Sequence, residues 1–177
     1  MPLIHFKTKL FNINSWTILR LPESESIKLP SRGQTMVKGT INGFHFQAPL
    51  EPDGRWSHWL RVDEAMQKNI DANAGDSVEV TIEPIKEWPE PDVPRDIQNA
   101  LKNDQKAYDL WRKITPMARW EWIRWIRATN SEETRTRRVE VGMSKLKSGE
   151  RRPCCWNRAA CTEPYVSKGG RLLEPTL

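Results

Sequence analysis

The chain has 177 residues, of which 37% are hydrophobic, and its mean hydropathy is -0.71. This length suits one compact domain or a small domain with an extension, and nine tryptophans can build a core, which excludes a disordered chain. No run approaches the roughly 18 apolar residues of a membrane-spanning helix, and the N-terminus lacks the apolar core of a signal peptide. We therefore expect a cytoplasmic protein without membrane insertion.

The charge is distributed unevenly along the chain. Residues 1–92 contain 10 Lys and Arg against 13 Asp and Glu, a net charge of -3, whereas residues 93–177 contain 18 against 10, a net charge of +8. A basic second half can attract a polyanion or an acidic partner, and the same composition is typical of a solvated helical surface. The sequence leaves both interpretations open.

Alternating apolar and polar residues predict β-strands in the first half of the chain. Asn42-Gly43 lies between two such runs and predicts a type I′ hairpin turn, because both central residues need a positive φ. Asp63 predicts the N-cap of one short helix. About six strands with one short helix over residues 1–86 suggest a small antiparallel barrel or sandwich, and we predict a β-barrel, whose lack of open edges favours a monomer. The predicted strands are 4–10, 15–21, 36–41, 44–48, 55–62 and 77–82.

The second half has the pattern of helices, so the fold class is α+β. Residues 87–93 are rich in proline and acidic residues and predict a linker. About three helices follow over residues 94–149. The first runs to Ile114, the second begins at Thr115-Pro116, and the third is capped by Ser131 and stopped by Gly149. Residues 150–177 predict an irregular tail that contains the cysteines.

The second of these helices has two faces. Its apolar positions are on one side, and Trp120, Arg124 and Arg127 recur on nearly the opposite side. This stripe can be an aromatic and cationic surface for a phosphate-bearing or otherwise anionic ligand. Alternatively, Trp120 is buried and the two arginines lay their aliphatic stems over it.

The third helix places an arginine on its apolar stripe. Arg135 is in phase with Val139 and Met143, and an arginine there needs a carboxylate or several carbonyls to receive it. We expect Arg135 to be partly buried, as a structural clamp or facing a cleft. Arg138 is on the flank of the stripe, and Arg137 points away from it.

Metal binding and catalysis have little support in the sequence. Cys154 and Cys155 are adjacent, and Cys161 follows five residues later, which does not match the spacing of a zinc knuckle. The three histidines are on predicted strands. We find no phosphate-binding glycine loop and no catalytic signature, so we predict no metal, no cofactor and no catalytic residue.

Two groups of motifs resemble known families. Residues 37–43 (VKGTING), 50–54 (LEPDG) and 74–78 (AGDSV) resemble an N-terminal β-barrel domain of unknown function. Trp125-Ile126 and residues 133–138 (ETRTRR) resemble the bacteriocin-protection family, called YdeI or OmpD-associated. Where relatives of that family usually have Ala-Lys, this chain has Ala128-Thr129. The resemblance implies a bacterial protein that protects against antimicrobial peptides, and it implies no established reaction.

The first functional hypothesis is a non-enzymatic module that binds an anionic small molecule or an acidic partner in a groove between barrel and helices. The residues expected to bind are Trp120, Arg124, Arg127, Arg135 and Arg138. The first alternative is a nucleic-acid binder that uses the basic helical half. The second is an enzyme on a small anionic metabolite, with a carboxylate or histidine near Arg135.

Overall fold

The computed structural model describes residues 2–153 and 163–176. Its strands and helices confirm the α+β class, with β-structure in the first half and helices in the second. The strands are β1 (Ile4–Lys9), β2 (Phe11–Ile13), β3 (Trp16–Arg20), β4 (Thr35–Ile41), β5 (Phe44–Pro52), β6 (His58–Arg61) and β7 (Ser77–Pro84). The helices are α1 (Glu23–Ser26), α2 (Glu64–Ile70), α3 (Arg95–Lys102), α4 (Gln105–Lys113), α5 (Pro116–Arg127) and α6 (Glu132–Lys147). By their contacts, the described residues form two compact units, one comprising the residues up to Lys86 and from Tyr165 onward, the other the residues from Glu87 to Pro164.

The strands of the first unit form one antiparallel sheet in the order β1-β7-β4-β5-β6-β3-β2, which curls into a half-barrel. The described residues contain seven strands where about six were predicted, because β2 follows the first predicted strand as a separate strand after Leu10. The Leu10 N–H donates to the Asp76 carbonyl and its own carbonyl accepts from Gly75. The chain therefore changes partners there, since β1 pairs with β7 and β2 pairs with β3.

Local chemistry accounts for the turns and helices of this unit. Asn42 and Gly43 both have positive φ, at 49° and 82°, so the predicted hairpin turn is confirmed. The Asp63 side chain accepts from the Met66 N–H at 2.9 Å and caps α2 as predicted. A second helix, α1, lies in the stretch expected to be a loop, so the prediction of one short helix was too low.

Two apolar clusters stabilise the first unit. One fills the curl of the sheet and includes alternating residues of β1 and β7 together with buried residues of β4 and of the other elements. The other packs Trp16 and Trp59 with Tyr165, Val166 and Leu172, so residues after 164 contribute to the same core. The Leu172 N–H also donates to the Asp53 carbonyl at 2.9 Å.

Among its described residues, the second unit contains four helices where about three were predicted. The first predicted helix divides at Asn103-Asp104, because the Asp104 side chain accepts from the Ala107 N–H at 3.2 Å and caps a new helix. The predicted starts at Thr115-Pro116 and Ser131 are confirmed. None of the helices in the described residues combines the length and apolar character needed to cross a bilayer. The predicted domain boundaries stay predictions.

Candidate functional site

Trp120, the first predicted binding residue, is half-buried against the segment before α3. Its Nε1 donates to the Pro89 carbonyl at 2.7 Å, and its ring meets that of Trp88 edge-on, with 6.4 Å between centroids. The indole thus satisfies its polar atom inside the unit. It holds the proline-rich segment 87–93 against α5.

Arg124 is not on an exposed stripe. Only 4% of the residue is accessible, and its Nε lies 3.4 Å from Oε1 of the buried Glu163. The helical phase placed Arg124 opposite the core, but α5 is buried on nearly all sides, including Glu121, Ile123 and Arg124 itself. Of the two interpretations left open by the sequence, display of Arg124 on an exposed stripe does not fit its burial, and its role in binding stays a prediction.

Arg135 connects two helices through a two-pronged ion pair. Its Nε and Nη2 donate to the Asp96 carboxylate of α3 at 2.7 and 3.1 Å. The hydrogen bond from Arg135 holds the pKa of Asp96 below its ordinary value, and the same bond raises the pKa of Arg135. The geometry is that of a clamp between α6 and α3.

Arg138 closes the C-terminal end of α5. Its Nη1 donates to the carbonyls of Trp125 and Ala128 at 2.9 and 2.7 Å, and its guanidinium lies 5.7 Å from the Trp125 ring centroid. The last carbonyls of a helix have no partner within the helix, and a cation there also complements the helix dipole. Arg127 is half-buried, and its side chain makes no hydrogen bond or ion pair with the described residues.

The predicted residues are thus not brought together in one site. They are spread over the packing contacts of the helical unit, and their role in binding stays a prediction. A different group of residues lines a cleft of about 700 Å³ within this unit. The lining comprises Glu90, Val93, Gln98, Leu101, Lys102, Gln105, Tyr108, Trp111, Arg112 and Arg119.

Arg119 fixes one side of the cleft. Its guanidinium donates to the carbonyls of Trp111 and Arg112, both at 2.9 Å, and forms an ion pair with Glu90. These contacts provide hydrogen-bond donors for the last carbonyls of α4 and connect Glu90 to α5. The carboxylate of Glu90 is therefore already engaged by a cation.

An aromatic ring and cations form another part of the lining. The Arg112 guanidinium lies 4.9 Å from the Tyr108 ring centroid, and its Nη2 contacts Asp109 at 3.1 Å. Lys102, at the last turn of α3, makes no ion pair with the described residues. The cleft thus offers one flat ring, one stacked guanidinium and one amino group without a carboxylate.

The sequence did not point to these cleft residues. Leu101, Tyr108 and Trp111 all lie within the first predicted helix, which was expected to be continuous. The break at Asp104 creates two helices, and only then can their side chains enclose a space. An aspartate cap within the predicted helix was the available signal.

The histidines lie outside the cleft. His58 is buried, and its Nε2 donates to the Gly33 carbonyl at 2.8 Å, so its Nδ1 accepts from the Ser26 hydroxyl at 2.7 Å. Burial lowers the pKa of His58. The pair resembles a nucleophile and its base, but both residues have no accessible surface, so their role is structural. The described residues contain no cluster of metal-ligating side chains, and Cys154, Cys155 and Cys161 lie outside them.

Comparison with known families gives two matches. Residues 3–82 match the family described as Domain of unknown function (DUF1905). Residues 90–149 match the family described as Bacteriocin-protection, YdeI or OmpD-Associated. The resemblance drawn from the sequence motifs is therefore confirmed in both halves. A search of curated proteins found no match.

Proposed function

We propose that this protein is a non-enzymatic binding module of the bacteriocin-protection type, and that its helical unit binds a small anionic molecule with a flat apolar part. The observation that carries the proposal is the cleft in which Tyr108 and Arg112 stack beside Lys102. A volume of about 700 Å³ lies within the range of small-molecule sites. Leu101 and Trp111 supply apolar lining, and Gln98 and Gln105 supply amides.

Charge pairing within the lining favours an anion at Lys102. Arg119 is engaged by Glu90, and Arg112 by Asp109. Lys102 has no such carboxylate among the described residues, so an anionic ligand group would gain a charge-assisted hydrogen bond there. The flat part of the ligand would then lie against the Tyr108 ring.

The ion pairs of the helical unit favour a small ligand over nucleic acid. Eight of its Lys and Arg side chains pair with carboxylates among the described residues, so these eight are less available to a phosphate backbone. A phosphate backbone needs several free cations at once. The paired residues are Arg112, Arg119, Arg124, Arg135, Arg137, Lys145, Lys147 and Arg152.

Binding to the whole chain tests the proposal. The probe is 2-naphthoate, and 2-naphthylmethylammonium is its cationic counterpart of similar shape. Titration followed by ¹⁵N–¹H NMR should perturb amides of α3 and α4 with the anion and leave them unchanged with the cation. Equal binding of both probes, or perturbation only outside the helical unit, would contradict an anion site in this cleft.

Two lysine variants locate the anion. Lys102→Ala should weaken binding of 2-naphthoate about tenfold, which corresponds to about 1.4 kcal/mol, because the charge-assisted hydrogen bond is lost. Lys106→Ala is the matched control, since Lys106 is an exposed lysine of α4 that does not line the cleft. An equal loss in both variants would indicate a general charge effect and no specific site.

A cellular assay connects binding to protection. Expression of the chain in a bacteriocin-sensitive bacterium should raise the tolerated bacteriocin concentration, and Lys102→Ala together with Tyr108→Ala should abolish the gain. Fractionation of the same cells tests the proposed cytoplasmic location. Full protection by a variant that no longer binds 2-naphthoate would show that protection does not depend on ligand binding in the cleft.

A further inference from the structure

The loop between β5 and β6 displays a tryptophan in an unfavourable backbone conformation. Trp56 is 77% exposed, and its φ is 73°, in the left-handed region that favours glycine. A bulky side chain in that region is strained, and an exposed indole adds little to the packing of the fold. The strain of the positive φ at Trp56 is therefore not offset by packing of its side chain.

The loop is held rigidly in this conformation. The buried carboxylate of Asp53 accepts from the N–H groups of Arg55 and Ser57 at 2.7 and 2.9 Å, and from Nε of Arg20 at 2.7 Å. Gly54 presses against the backbone after residue 169, since a Cβ there would lie 2.4 Å from the Gly170 carbonyl oxygen. Hydrogen bonds thus hold the backbone of the residues on both sides of Trp56.

A cation connects the backbone of this loop with the end of α1, where a second apolar side chain is exposed. The guanidinium of Arg32 donates to the carbonyls of Ser26 and Trp56, the latter at 3.4 Å. Ile27 follows Ser26 directly and is 70% exposed. Arg32 contacts carbonyls and the Ser26 hydroxyl, and it makes no ion pair with a carboxylate of the described residues.

We propose that Trp56, Ile27 and Arg32 form a docking surface for an anionic phospholipid membrane, bound at its interface without crossing it. An indole favours the boundary between water and acyl chains, and the exposed isoleucine adds apolar contact. The uncompensated guanidinium complements a lipid phosphate. Two projecting side chains suit a deformable surface, whereas a small ligand needs a concave site.

The test is co-sedimentation of the whole chain with vesicles. Binding is expected to vesicles of phosphatidylcholine mixed with phosphatidylglycerol, and little binding to phosphatidylcholine alone. Trp56→Gly should lower the bound fraction several-fold while the melting temperature stays equal or rises, because glycine relieves the positive φ. Ile27→Ala should give a smaller loss. Leu3→Ala is the matched control, since Leu3 is 69% exposed in the same unit.

Two results would overturn the proposal. One is the absence of wild-type binding to either vesicle, which would leave a protein partner as the reason for the display. The other is equal binding of the wild type and Trp56→Gly, which would mean that charge alone attracts the protein. A loss of binding in Trp56→Gly with an intact fold supports the surface, because a purely structural role for Trp56 would lower stability instead.

Discussion

The β-rich unit and the helical unit satisfy their buried polar side chains in different ways. In the β-rich unit, the buried Asp53 carboxylate accepts from two backbone N–H groups and from Arg20, and His58 contacts a backbone carbonyl and a hydroxyl. In the helical unit, arginines cross-link helices through carboxylates or bind the last carbonyls of a helix. Several arginines of the helical unit therefore make contacts within the fold. Fewer of its cations are available to a ligand than their number in the sequence suggests.

The largest expected effect tests whether the two units fold separately. In Gly39→Ala, the new Cβ would lie 1.9 Å from the Thr81 carbonyl oxygen of the neighbouring strand. We expect a loss above about 4 kcal/mol, or failure of the β-rich unit to fold, while ¹⁵N–¹H peaks of α3–α6 persist. Gly33→Ala is the control, since its nearest neighbour is the Ser31 hydroxyl at 3.5 Å. Loss of both sets of peaks would indicate one cooperative fold.

The second prediction separates a structural arginine from a surface one. Arg124→Ala removes the ion pair of the buried Glu163 and should lower the free energy of unfolding by about 3 to 5 kcal/mol. Arg137→Ala should change it by less than about 0.5 kcal/mol, because both partners of the Arg137–Glu133 pair are mostly exposed. Urea unfolding followed by helical circular dichroism measures both. A small effect at Arg124 would restore it as a candidate for ligand binding.

The third prediction tests which residues complete the core of the β-rich unit. Leu172 packs with Trp16 and Trp59, so Leu172→Ala should cost about 2 to 4 kcal/mol. Leu173→Ala is the matched neighbour, because Leu173 is 41% exposed. Loss of NMR peaks of β3 and β6 during urea titration measures the change. Equal effects at the two positions would mean that residues after 164 do not belong to this core.

The smallest expected effect is a loss of stability at acidic pH, which begins at a different pH in each unit. Burial lowers the pKa of His58 from 6.5, so the unfolded chain binds more protons below that pH and the β-rich unit loses stability there. The pKa of Asp96 is lowered from 3.8 by Arg135, so its stabilisation is complete above that pH and is lost as pH falls further. Asp96→Asn should remove about 0.5 to 1 kcal/mol at neutral pH. Urea unfolding of wild type and variant at pH 7 and 3 checks this, and an undiminished difference at acidic pH would contradict it.

Much of the fold was predictable because it depends on short-range chemistry. The Asn42-Gly43 turn, the Asp63 cap and the Thr115-Pro116 helix start each require particular residues at one place. The break at Asp104 escaped prediction, because an aspartate within a helical pattern caps a new helix only when packing makes the division favourable. The separate strand β2 after Leu10 was also missed, because the change of partner at Leu10 depends on distant residues, Gly75 and Asp76.

The candidate site was less predictable, because side-chain partners are set by contacts far along the chain. The helical phase correctly separates Trp122 and Ile126 as core residues. It cannot show that Glu163 covers Arg124, or that Pro89 accepts from Trp120. Nor can it show that Leu101, Tyr108 and Trp111 enclose a cleft, since that needs two helices.

The sequence by itself determined the α+β class, the family resemblance and most turns and caps, because these depend on residues within a few positions of each other. The tertiary structure alone decided which cations remain free. Arg124, Arg135 and Arg138 are used within the helical unit, while Lys102 and Arg32 contact no carboxylate among the described residues. The physical reason is that a charged side chain acts on a ligand only if no nearer group of the fold neutralises it, and the fold determines which groups are near.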